Sequence, residues 1–176
     1  GAAKRATHMV VGADGRLYCG GNHSRHRSGA QVVIFDPKTY ETESVREEIK
    51  TDLFRDITAI DEKRLVVIST GSGEPRRGTL RIYDTGKGHL TRSIKLPLDV
   101  EHAGNIFPGG GATVVGLVKL DPRDEHGKVH YKSLLYKYDV DDGELIFKKE
   151  ISGRAFSGPS FFDYKSNRRR FAVGPD

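Results

Sequence analysis

Tryptophan is absent from this chain, and cysteine and methionine occur once each. With Cys19 alone there is no partner for an intrachain disulfide. It stands in the apolar run Leu17-Tyr18-Cys19, which predicts a small buried side chain rather than a nucleophile. Long apolar runs are missing too. The longest are Val32 to Phe35, Leu65 to Ile68 and Ala112 to Val118, far short of the roughly 20 residues a membrane helix needs. No membrane partner is expected, and the composition suits a soluble protein. The stretch Gly1 to Thr7 is small and basic with no apolar segment behind it, so it does not read as a secretory signal.

Helical periodicity is nearly absent. Only Glu43 to Phe54 has room for a turn of helix, and it reads as strand then connection. Complete catalytic signatures are lacking as well, which leaves enzyme activity open. No Gly-x-Ser-x-Gly elbow occurs, and Ser157-Gly158 sits in an ordinary turn. Gly109-Gly110-Gly111 is followed by neither Lys-Ser/Thr nor a helix, so it is a turn and not a phosphate loop.

What the chain does have is glycine, 21 residues in 176, with 36% hydrophobic and 30% charged residues. Many turns and many short strands follow. These strands repeat. Each unit has a polar turn, an apolar strand, a loop, a second apolar strand ending in Asp, a turn, and a further strand. The terminal Asp residues are Asp36, Asp84 and Asp139, spaced 48 and 55 residues apart. The longer interval is taken up by the loop Asp121 to Lys132. A further unit begins at Ser160-Phe161-Phe162-Asp163-Tyr164. In Leu80-Arg81-Ile82-Tyr83, strand alternation puts Leu80 and Ile82 on one face and Arg81 and Tyr83 on the other. Asp36, Asp84 and Asp139 each open a turn, where a short carboxylate bonds its own downstream backbone.

The run Asp14-Gly15-Arg16-Leu17-Tyr18, a glycine, an apolar strand and then Asp36-Pro37-Lys38-Thr39 resembles the β-propeller repeats of the quinoprotein, YVTN and kelch type. Asp139-Val140-Asp141-Asp142-Gly143-Glu144-Leu145 resembles the quinoprotein-type turn. The Trp-Asp and Gly-His pairs of the WD40 group are missing. The resemblance implies an all-β fold of about three and a half four-stranded antiparallel blades, an incomplete ring. It implies one propeller-like domain over 1–176, with blades at about 7–50, 56–98 and 103–152 and a partial one at 157–176. An open β-sandwich is the alternative architecture.

In families of this resemblance, the loops between the second and third strands share a rim with the connections that enter each blade. Here that rim would gather His8, His23, Arg25, His26, Arg27, Arg76, Arg77 and His102. Guanidinium groups bind carboxylate or phosphate in bidentate fashion, so an anionic small molecule or saccharide, or a protein, is the expected partner. Solvated surface loops explain the same residues without a ligand. No cofactor is expected. His23-x-x-His26 has metal-ligand spacing, but a metal needs about three protein ligands, and a divalent metal is the lesser reading. Arg168-Arg169-Arg170 reads as a strand end. Nucleic acid is disfavoured, since stacking aromatics are not interleaved with the basic residues.

Three functions compete. One is a ligand- or partner-binding propeller segment, part of a larger protein. Another is part of a propeller enzyme, lyase or hydrolase, acting on an acidic polysaccharide. The third is a structural half-ring that forms a homodimer, in place of further blades of a longer chain.

Overall fold

The computed structural model describes residues 5–22, 29–45, 53–71, 77–99, 105–120, 126 and 132–152. All secondary structure among them is strand. The first sheet holds β1 (Arg5–Val11), β2 (Leu17–Asn22), β3 (Ala30–Phe35) and β4 (Thr42–Val45). The middle sheet holds β5 (Leu53–Ala59), β6 (Arg64–Thr70), β7 (Arg77–Asp84) and β8 (His89–Asp99). The third holds β9 (Ile106–Pro108), β10 (Thr113–Leu120), β11 (Lys132–Asp139) and β12 (Glu144–Ser152). Each is a four-stranded antiparallel meander in chain order. The expected all-β, blade-like architecture is thus what the chain adopts, as an incomplete ring. No helix among the described residues is long and apolar enough to cross a membrane. The partial blade expected at 157–176 lies outside the described residues.

The repeat holds at the level of single hydrogen bonds. The backbone N–H of Lys38 donates to Asp36 Oδ1 at 2.8 Å. Those of Gly86 and Lys87 donate to Asp84 Oδ1 at 3.0 Å each. Those of Asp141 and Asp142 donate to Asp139 Oδ1 at 2.8 and 3.0 Å. In every case the residue four places after the Asp closes the turn onto the Asp carbonyl: Tyr40, Gly88 and Gly143. All three have positive φ, 61°, 73° and 76°. Glycine adopts this backbone freely, whereas Tyr40 adopts it at a steric cost.

Counted from these turns, the three sheets share one register. Leu17 pairs with Phe35, Leu65 with Tyr83, and Val114 with Tyr138. The middle sheet is covered on both faces. Its Ile57, Leu65, Val67 and Tyr83 pack with Tyr18, Val32 and Ile34 of the first sheet. Its Val66, Ile68, Leu80 and Ile82 pack with Ile106, Val114, Tyr136 and Tyr138 of the third. Leu80 and Ile82 therefore face away from Tyr83, as the alternation in β7 predicts. Two close approaches need glycine. A Cβ on Gly20 would lie 1.8 Å from the Phe54 ring, and one on Gly116 2.1 Å from that of Tyr136.

The inner strands begin differently from expectation. His8 is expected on a connection entering a blade and Phe54 at the end of another, but they lie inside β1 and β5. Both strands carry an irregularity there, between Ala6 and His8 and between Phe54 and Asp56. Such a bulge breaks the alternation that marks a strand in sequence.

Candidate functional site

Innermost-strand residues meet where β5 lies between β1 and β9. Register makes His8, Asp56 and Asn105 equivalent. His8 pairs with Gly20 and Asp56 with Ile68, while Asn105 accepts from Leu117 N–H at 3.0 Å. Asp56 is fully buried. Its Oδ1 accepts from its neighbour Ile57 N–H at 2.8 Å, and its Oδ2 accepts from Ile106 N–H in the third sheet at 3.0 Å. His8 Nδ1 of the first sheet lies 3.5 Å from Oδ1. One carboxylate thus ties together three sheets. A buried charge is tolerated only with such partners.

The surroundings are closed. The His8 ring is 7% exposed and tilted against the Phe54 ring at 6.2 Å. The phenol of Tyr136 is fully buried, and burial, then the charge of Asp56, pushes its pKa well above the usual tyrosine value. Nearby, Asn22 clamps the backbone of Phe54, accepting from its N–H at 2.8 Å and donating to its carbonyl at 3.4 Å. Arg55 Nε donates to Thr70 Oγ1 at 2.6 Å. Chemically this cluster is a lock between inner strands, with an imidazole held beside a carboxylate.

Of the eight residues expected on the rim, His8 is described as a side chain and Arg77 as the first residue of β7. His23, Arg25, His26, Arg27, Arg76 and His102 lie outside the described residues. His8 is not on a rim loop: it is a strand residue whose ring is buried facing Asp56. Among the described residues no three His, Cys, Asp or Glu side chains gather into a metal-holding group. The expectation for Cys19 fares in between. It is half-buried and unbridged, and burial pushes its thiol pKa up.

Sequence reasoning missed Asp56, Asn105, Arg55 and Tyr136. A signal was present for one: His8 and Asp56 stand at the same distance ahead of Asp36 and Asp84.

At the opposite end of the first sheet is an open cleft of about 540 Å³, lined by Arg16, Asp36, Tyr40, Glu41 and Glu43 among others. Arg16 lies 3.5 Å from both Asp36 and Glu43. Between the middle and third sheets, the corresponding end is bridged. Arg92 donates to the carbonyls of Val140 and Asp141, each at 2.8 Å, and Arg64 pairs with Asp141.

No family model matches this chain, and no curated protein matches its sequence.

Proposed function

We propose that the chain is a binding segment of a β-propeller of the quinoprotein, YVTN or kelch type, and that its ligand face is the end of the sheets where β1, β5 and β9 begin. One observation carries the reading. Asn22 pairs with both Arg5 and Ala30, and Thr70 with both Leu53 and Gly78. The connections leaving β2 and β6 therefore start at the end where β1 and β5 enter. Those connections contain His23, Arg25, His26, Arg27 and Arg76, with Arg77 next in β7. Guanidinium and imidazole groups carried on those connections suit an anionic ligand, such as a uronate saccharide or an acidic protein surface. His8 contributes by holding Asp56 and the inner strands in place.

The test is calorimetric titration with oligogalacturonate and, separately, inorganic phosphate. Binding at low ionic strength that weakens at least tenfold when Arg25, Arg27 and Arg76 are changed to Ala supports the reading. Binding that ignores their removal, or none to either probe, refutes it.

A further inference from the structure

The first sheet has one face with no neighbour among the described residues. Along it run Met9, Cys19 and Val33 in one cross-strand row and Val11, Leu17 and Phe35 in the next. β4 continues the rows with Ser44 and Thr42. No residue of either row is acidic or basic. The register equivalents Ile57, Val67, Leu65 and Tyr83 of the middle sheet are 1% exposed, because the first sheet covers them. Met9 and Val11 are instead 58% and 59% exposed.

Two observations bear on what fits against this face. The first is the turn of the same sheet. In the joint between middle and third sheets, Arg92 reaches the turn of the next sheet, and a Cβ on Gly143 would lie 3.0 Å from its guanidinium. Tyr40 holds the place of Gly143 in the first sheet. It is 80% exposed, with its ring against that of Phe35 at 6.3 Å. A sheet docked here in the internal manner would meet a tyrosine side chain where Arg92 lies. The second observation is charge. The outer face of the third sheet carries Lys137 and Lys149, and its Leu117 and Ser133 are already buried. An uncharged apolar face is matched by another of its kind, and among the described residues the first sheet is where this chain offers one.

We propose that a second copy of this chain docks on this face by two-fold symmetry, first sheet against first sheet. The contact is isologous: Met9 and Val11 of each copy pack on the apolar rows of the other, and no charge is buried. Aligned sheets pack in this way about 10 Å apart, crossing at about 30°. Four strands about 4.8 Å apart, with rows about 7 Å apart, give a patch of about 300–400 Å² per copy. A patch of that size is what interaction surfaces carry. It is well under the roughly 800 Å² a side of a standard interface, so the dimer is weak and reversible. The proposal does not rest on any ligand at the rim.

Sedimentation equilibrium of the full chain tests it, at concentrations of about 10 µM to 1 mM, the range in which weak interfaces associate. The expected mass moves to twice that of the chain at the upper end. Val11→Lys and Val11→Glu each substitute an exposed residue, and each should give monomer. Mixed in equal amounts they should regain the dimer, because the two-fold axis sets position 11 of both copies in one interface. Phe147→Lys, on the third sheet, should leave the association unchanged. Alkylation of Cys19 in the unsubstituted chain should slow at least fivefold across the same range, which reads the contact whether or not the variants fold. A monomer at the top of the range with a constant Cys19 rate overturns the proposal. So does a folded Val11→Lys chain that still doubles in mass, or a mixture of folded variants that stays monomeric.

Discussion

Replacing Asp56 by Ala should be the most damaging single change in the described chain. The carboxylate has no exposure, and it accepts one N–H from Ile57 and one from Ile106 while facing His8. A hydrogen bond to a charged group contributes about 1.5–3 kcal/mol, and stranded buried donors add their own desolvation cost. Breaking a buried pair from one side costs about 3–5 kcal/mol. The expected loss is therefore about 3–5 kcal/mol, against a total stability of about 5–15 kcal/mol for a domain. With a urea slope of about 2 kcal/mol per M, the midpoint falls by about 2 M. Asp56→Asn keeps the shape but turns an N–H toward a place where only acceptors fit, so it should lose roughly half as much. Urea unfolding followed by far-ultraviolet circular dichroism measures both. A loss under about 1 kcal/mol for Asp56→Ala refutes the idea that this residue locks the inner strands.

Further outcomes follow from the turns and close contacts. Tyr40→Gly should stabilise the isolated chain by about 0.5–1 kcal/mol, since glycine takes the positive φ without strain; thermal unfolding at low concentration reads this, and a lower midpoint contradicts it. Gly20→Ala and Gly116→Ala should each destabilise by about 1–3 kcal/mol, because the new methyl displaces the Phe54 or Tyr136 ring from a filled site. Stability should decline on acidification below the ordinary carboxylate range. The Lys38 N–H holds Asp36 below its usual pKa, and the Lys87 N–H does the same for Asp84. For Asp61, burial acts upward, but the Lys63 N–H and the Arg64 guanidinium outweigh it. Groups lowered on folding stabilise above their unfolded pKa and lose that contribution as pH falls through the folded value. Asp84→Asn should flatten this dependence while keeping the turn, and an unchanged acid limb would count against it.

The sheets were legible because their determinants are local. Asp36, Asp84 and Asp139 each end an apolar strand and bond their own turn, so three residues set the register of three hairpins, β3–β4, β7–β8 and β11–β12. The inner strands β1, β5 and β9 were harder to see. Bulges at His8 and Asp56 disturb the alternation, and β9 has only three residues. Polar residues in these strands read as loop, although they are buried by contacts between sheets. The pairing of His8 with Asp56 is long-range, and local pattern does not encode it. Tyr40 is a related case: its sequence marks a turn residue, but only comparison with Gly88 and Gly143 exposes the strain.

The middle sheet is enclosed by its two neighbours. Native-state amide hydrogen exchange tests that directly. The slowest amides should cluster in β6 and β7, opening only with global unfolding, with those of β4 and β12 at the outer edges fastest. Equal protection in all three sheets, or a first sheet that outlasts the middle one, would contradict the stacked arrangement.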